Sequence, residues 1–147
     1  MHSSPPEDKP EPLMASDEPP AILCVEDNVD NRILLRRVLQ AEGYQVLEAG
    51  SAHEALDLSG SHHLDLVLVD INMPGVDGLT LTEKLKSDVR WADVPVIAIT
   101  ANVMRGDHER TLAAGCDGCI QKPIDVDLLP RQISRFLRLG AQKRPSA

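Results

Sequence analysis

Three segments of this 147-residue chain are nearly unbroken runs of apolar residues, each too short to cross a membrane. They read AILCV from Ala21, LDLVLVD from Leu64 and VPVIAI from Val94. A strand with one face in water alternates apolar and polar side chains, whereas a parallel strand covered on both faces stays apolar. The three runs therefore predict central strands of a parallel sheet with helices on both sides.

Helical patterns separate these runs. After the first run, apolar residues recur at helical spacing from Leu34 to Ala41 and stop before Gly43. The other predicted helices span residues 51–60, 78–87 and 103–114, with a last helix carrying Leu129, Ile133, Phe136 and Leu137. The other predicted strands are QVLEA and residues 117–121. Five strands alternating with five helices predict an α/β fold with a doubly wound parallel sheet.

Composition limits the domain organisation. Residues 1–20 hold six prolines and little to bury, which predicts a disordered tail before one domain at 21–139 and a short C-terminal tail at 140–147. A net charge of -8 argues against binding nucleic acid or an anionic membrane through overall charge. With no run of membrane-spanning length and no signal peptide, we expect a cytoplasmic protein without membrane or nucleic-acid partners.

Charged and hydroxyl side chains stand where the predicted strands end. Glu26 and Asp27 follow the first strand, Asp70 ends the third, Thr100 the fourth, and Lys122 follows the fifth. The carboxyl ends of parallel strands meet at one edge of a sheet, beside the point where strand order reverses. Three carboxylates gathered there repel one another and need compensating positive charge. Lys122 and Mg²⁺ would supply it, since Mg²⁺ prefers carboxylate, water and phosphate oxygens.

Four motifs around these residues resemble those of bacterial response-regulator receivers: VEDN, LVDINMPGVDG, ITAN and QKPID, in that order. The resemblance covers about residues 21–139 and implies a flavodoxin-like receiver fold with strand order 2-1-3-4-5. It implies that Asp70 is the phosphoacceptor, that Thr100 and Lys122 contact the phosphoryl group, and that the bond before Pro123 is cis. The implied magnesium ligands are three carboxylates and one backbone carbonyl: Glu26, Asp27, Asp70 and Asn72.

The resemblance also implies a role in a two-component phosphorelay. A carboxylate attacks phosphorus to give an acyl phosphate once charge is offset, so we expect the domain to catalyse only its own phosphorylation. The implied donor is a histidine kinase or a histidine phosphotransfer protein, and output passes to a downstream protein target. The positions at which receivers tune dephosphorylation are Asn72 and Asn102, and neither supplies an acid or base, so we expect slow hydrolysis. A phosphorylation-dependent dimer and an origin in a hybrid kinase stay open.

One position departs from the receiver pattern. Receivers usually carry Phe or Tyr three residues before the strand-5 lysine, and this chain has Cys119 there. With one Phe, one Tyr and one Trp in the chain, the outward switch is either weaker or uses residues such as Met104. A phosphorylation-independent interaction scaffold is therefore the alternative function. A magnesium-dependent phosphatase ranks last, because no acid stands two residues after Asp70.

Cys116 and Cys119 form a Cys-x-x-Cys spacing. If both lie on one strand, their side chains point to opposite faces, beyond disulfide reach. We therefore expect buried, unpaired cysteines rather than a redox or zinc site.

Overall fold

A computed structural model of the chain describes residues 18–72, 78–101 and 107–143. Within these residues, five strands alternate with five helices. The strands are β1 (Ala21–Val25), β2 (Gln45–Ala49), β3 (Leu66–Asp70), β4 (Val96–Thr100) and β5 (Gly118–Gln121). The helices are α1 (Val29–Ala41), α2 (Ala52–Ser61), α3 (Gly78–Ser87), α4 (Asp107–Ala114) and α5 (Leu129–Lys143).

The five strands form one parallel sheet in the order β2-β1-β3-β4-β5. The chain first builds outward from β1 to the edge strand β2 and then crosses to β3 on the other side of β1. Strand order thus reverses between β1 and β3, which places their carboxyl ends side by side at the position where doubly wound folds form sites. The predicted fold class and strand order are confirmed.

Alternate residues of each central strand enter two separate cores. In β1, Ile22 and Cys24 pack with α1 and α5, whereas Leu23 and Val25 pack on the opposite face with α2 and α3. The first face is closed by buried helix residues Leu35, Leu39, Leu129 and Ile133. The second is closed by Ala55, Leu81, Leu85 and the loop residue Trp91. All residues of β1, β3 and β4 are buried, which explains their unbroken apolar sequences.

Local signals set the limits of α1. Its N-cap is Asn28, whose side chain accepts a hydrogen bond from the Asn31 N–H. The helix is followed by Gly43 with φ 92°, a conformation that glycine adopts without steric cost. Because Asn28 caps the helix, the neighbouring Asp27 is left available for another role.

Several predicted boundaries differ from the structure. Leu64 and Val94 are buried but precede their strands, because an apolar side chain reports burial and not ladder pairing. The last helix continues to Lys143, four residues beyond the predicted domain end at residue 139. Other predictions concern residues outside the described ranges: residues 1–17, Asn102, residues 103–106 including Met104, and residues 144–147. No helix among the described residues is long and apolar enough to span a bilayer.

The three cysteines are free thiols. Cys116 precedes β5 instead of lying on it, so the two cysteines do not share a strand and the condition for opposite faces is not met. Both side chains pack against the same core. Cys116 is buried and donates to the Thr82 hydroxyl at 3.7 Å, while Cys119 is half-buried.

Candidate functional site

Three carboxyl groups meet at the carboxyl ends of β1 and β3. Glu26 and Asp27 directly follow β1, and Asp70 is the last residue of β3. One oxygen from each lies within 4.8 Å of the others. Glu26 and Asp70 are buried, whereas Asp27 is exposed, so the cluster reaches solvent at Asp27.

Glu26 is the most constrained of the three acids. Its side chain is fully buried, its Oε2 accepts a hydrogen bond from the Asn28 N–H at 3.2 Å, and its Oε1 has no hydrogen-bond partner among the described residues. Burial, followed by the neighbouring Asp70, raises the pKa of Glu26 from 4.5 to about 7. A second acid this close disfavours the charged form of Glu26, so the neutral form is favoured.

Asp70 is held from two directions. Its Oδ1 accepts a hydrogen bond from the Asn72 N–H at 2.9 Å, and its Oδ2 accepts one from the Lys122 ammonium at 2.7 Å. Lys122 follows β5 and the peptide bond to Pro123 is cis, as the resemblance implied. This ion pair spans 52 residues of sequence and supplies positive charge beside the buried carboxylate.

Thr100 and Asn72 occupy the neighbouring strand ends. Thr100 is fully buried, directly follows Ile99, which pairs with Asp70, and accepts the Lys122 N–H through its backbone carbonyl at 2.9 Å. The side-chain oxygen of Asn72 accepts a hydrogen bond from the Ala101 N–H at 3.3 Å. The residues predicted to hold Mg²⁺ or to contact the phosphoryl group therefore lie at one edge of the sheet, and Asn72 bridges β3 to the end of β4.

The donor set fits a small divalent cation. Three carboxylates with oxygens this close are electrostatically unfavourable alone, and one fully buried oxygen lacks a donor. A cation ligated by oxygen would relieve both, and Mg²⁺ accepts a site with few protein ligands completed by water. Glu26, Asp27 and Asp70 would hold it.

Arg32 of α1 contacts the backbone of the site, although no pattern in the sequence singled it out. Its Nη1 donates to the backbone carbonyl of Glu26 at 2.9 Å, and its Nε donates to Glu48 of β2 at 3.2 Å. The available signal was Glu48 itself. An acid inside the strand sequence QVLEA needs a cationic partner when partly buried, and Arg32 and Arg36 stand one helical turn apart.

Gly78 also belongs to the site's support. A Cβ there would lie 2.9 Å from Ile71 Cα and 3.1 Å from the Asp70 carbonyl oxygen. The first residue of α3 therefore packs directly against the backbone that carries Asp70.

Cys119 and Thr111 join β5 to α4. The Cys119 sulfur lies 3.1 Å from the hydroxyl of Thr111, which is fully buried. A small thiol against a hydroxyl thus occupies the position at which the resemblance leads one to expect an aromatic ring.

Comparisons with known proteins agree with this geometry. The family model for the response regulator receiver domain matches residues 22–134. The polar-differentiation response regulator DivK of Brucella ovis is 44% identical over 117 residues, covering 80% of this chain and 95% of the relative. The magnesium-bound receiver domain of a sensor histidine kinase from Pseudomonas aeruginosa is 31% identical with a TM-score of 0.75, covering 82% of this chain and 98% of that structure. A CheY-like receiver from Methanospirillum hungatei has a TM-score of 0.79 at 28% identity, covering 86% of this chain and all of that structure.

Proposed function

Because the chain belongs to the response regulator receiver family, we propose that Asp70 accepts a phosphoryl group with Mg²⁺ bound beside it. The observation that carries the proposal is the cluster of Glu26, Asp27 and Asp70 with Lys122 at 2.7 Å from Asp70. Receiver domains act in two-component signalling, so the phosphorylated form is the signal and not a turnover intermediate.

The chemistry is a transfer between two nucleophiles. An Asp70 carboxylate oxygen attacks phosphorus, the bond from phosphorus to the donor nitrogen breaks, and the donor nitrogen keeps that electron pair. When bound, Mg²⁺ supplies charge neutralisation and a fixed orientation for the phosphoryl oxygens.

The chain's own residues provide the rest. The Asn72 N–H fixes the Asp70 carboxylate by its hydrogen bond to Oδ1. Lys122 is placed to exchange its contact with Oδ2 for a phosphoryl oxygen, so that the charge offset follows the transferred group. Thr100 adds a hydroxyl at the end of the adjacent strand.

The phosphoryl donor is a histidine kinase or a histidine phosphotransfer protein, and the output is a contact with a downstream protein. Support comes from the family, whose members exchange phosphoryl groups with such partners, and from a similar structure that is itself part of a sensor histidine kinase.

The test uses a small phosphoryl donor, acetyl phosphate, and the phosphoryl mimic beryllofluoride, each with Mg²⁺. We expect a phosphoryl adduct by mass spectrometry and amide shifts at the strand ends on adding beryllofluoride, both absent in Asp70→Asn. Asp93→Asn is the matched control, because Asp93 is an exposed aspartate in the loop before β4. An adduct that survives Asp70→Asn and disappears in another aspartate variant would place the phosphoacceptor elsewhere.

The scaffold remains the second candidate because of the Cys119 and Thr111 contact, which lacks a ring able to change position. It predicts that wild type shows neither adduct nor Asp70-dependent shifts while still binding its protein partner. Turnover of free phosphate esters would instead support a phosphatase.

A further inference from the structure

A chain of charged contacts runs behind the acidic cluster. The Arg32 guanidinium donates through Nη1 to the Glu26 carbonyl oxygen and through Nε to Glu48 Oε1. Glu48 Oε2 accepts from Arg36 Nη1 at 3.0 Å. Both arginines therefore share one carboxylate, but only Arg32 touches the segment that carries Glu26 and Asp27.

The backbone of Glu26 is fixed on both sides of its side chain. Its N–H donates to the Ala49 carbonyl at 2.9 Å, which continues the pairing of β1 with β2. Its carbonyl lies past the end of the strand ladder, and the described partner for it is Arg32 Nη1. The orientation of the peptide between Glu26 and Asp27 thus depends on a side chain of α1.

The Arg32 guanidinium lies close to the backbone that follows β2. A Cβ on Gly50, the residue after β2, would lie 3.1 Å from Arg32 Nη1 and 3.5 Å from Glu54 Oε1. The Arg32 side chain is 24% exposed, less than the 36% of Arg36, although both pair with Glu48. Arg32 is therefore the more enclosed of two otherwise similar arginines.

We propose that Arg32 is a positioning residue for cation binding: it orients the Glu26–Asp27 peptide so that both carboxylates face Asp70. This inference rests on the proposed function, because it concerns the Mg²⁺ that supports phosphorylation. The direction of the change in Mg²⁺ affinity distinguishes a positioning role from a simple charge effect. A positive charge near the cluster weakens Mg²⁺ binding through repulsion, whereas a positioning contact strengthens it.

The experiment compares Arg32→Met with Arg36→Met. Both variants remove one arginine from α1 and one partner of Glu48, and Met keeps high helix propensity. Removing an outer partner of a metal ligand weakens metal affinity by about ten-fold, so Arg32→Met should raise the Kd for Mg²⁺ by about that factor. Arg36→Met should change the Kd by less than about two-fold, since its charge is partly exposed and screened.

Three measurements on each variant complete the test: a Mg²⁺ titration followed by amide shifts, the Glu26 and Asp27 amide shifts without metal, and urea unfolding. The metal-free shifts should move in Arg32→Met and stay in place in Arg36→Met. Both variants should lose stability in urea unfolding, and Arg32→Met should lose more, because it gives up the hydrogen bond to the Glu26 carbonyl as well as the contact to Glu48. Gly50→Ala, which crowds Nη1 while leaving every charge in place, should also weaken Mg²⁺ binding.

The results of these measurements distinguish a failure of the Arg32 role from a failure of the proposed function. If wild type binds no Mg²⁺ and forms no beryllofluoride adduct, the proposed function fails, and the role of Arg32 fails with it. If wild type binds Mg²⁺ and Arg32→Met binds it equally or more tightly, only the positioning role is overturned. Equal weakening by Arg32→Met and Arg36→Met overturns it too, because the effect would then belong to Glu48.

Discussion

Replacing Glu26 by Gln should stabilise the metal-free protein, and the gain should depend on pH. The pKa of Glu26 is raised from 4.5 to about 7 by burial and by Asp70. Below pH 4.5 the folded and unfolded states both hold the proton. Between these two pH values the unfolded chain releases the proton and the folded chain keeps it, so the free energy of unfolding falls as pH rises.

The size of the effect follows from that pKa difference. One pKa unit equals about 1.4 kcal/mol, so the interval from 4.5 to about 7 corresponds to about 3 kcal/mol above pH 7. A Gln side chain is neutral at every pH, keeps an oxygen for the Asn28 N–H, and brings an N–H₂ that can donate to Asp70. We therefore expect Glu26→Gln to raise the free energy of unfolding by about 1 to 3 kcal/mol above pH 7.

The assay is urea unfolding in EDTA, followed by the fluorescence of Trp91, the chain's single tryptophan, which is 7% exposed in the folded state. The control is Glu83→Gln on α3, which removes an exposed glutamate and should change stability by less than about 0.5 kcal/mol. Adding Mg²⁺ should stabilise wild type by mass action and stabilise Glu26→Gln much less.

Two results would refute this reasoning. One is the absence of any gain for Glu26→Gln above pH 7, which would mean that the buried carboxylate is already well compensated in the metal-free protein. The other is a gain that persists unchanged below pH 4.5, where Glu26 is neutral in both states and its charge cannot be the cause.

Other predictions follow from contacts around the site. Gly78→Ala should destabilise by about 1 to 3 kcal/mol in urea unfolding because its Cβ meets backbone, whereas Gly60→Ala, with open space in α2, should stabilise by up to about 1 kcal/mol. Lys122→Met should destabilise the metal-free protein by at least about 1 kcal/mol near neutral pH, and Mg²⁺ should restore most of the loss. Burial raises the pKa of Cys24 to about 12, so a thiol reagent should modify the half-buried Cys119 first and reach Cys24 only in urea.

The fold was predictable because its strongest signals are local. Unbroken apolar strands and helical spacing gave the number, order and type of the elements within the described residues. Their limits were less predictable, since Leu64 and Val94 are as buried outside their strands as their neighbours are inside. A pattern of apolar residues predicts which side chains are buried. It does not predict where a strand begins, because strand pairing requires a neighbouring backbone in register.

The site shows the same division. The positions of Glu26, Asp27 and Asp70 at strand ends predicted that they lie close together, because the carboxyl ends of parallel strands share one edge of the sheet. The sequence could not predict which of these acids is buried. The environments of two adjacent residues beyond a strand differ because their side chains point in different directions. The structure buries Glu26 and exposes Asp27, so their charges differ in energetic cost although their chemistry is alike.

Arg32 was hidden for a different reason. Its contact with the Glu26 carbonyl crosses the α1 N-cap and depends on how the helix leaves the sheet, which no spacing rule encodes. Its pairing with Glu48 is equally available to Arg36 in sequence terms. Only the three-dimensional path distinguishes the arginine that contacts the Glu26 carbonyl from the one that contacts Glu48 alone.

At the ends of β1 and β3, the carboxyl groups proposed to bind a cation also lower the stability of the metal-free fold. Every strand residue of β1 and β3 up to Val69 is apolar and buried, yet the same strands end in carboxyl groups that repel. A chain selected for stability alone would place neutral side chains there. The increase in the free energy of unfolding predicted for Glu26→Gln follows from the same reasoning. Retaining a buried acid with an unpartnered oxygen lowers the stability of the metal-free form and raises the gain from binding a cation. The buried acid without a donor for one oxygen therefore supports the proposal that this edge of the sheet binds a cation.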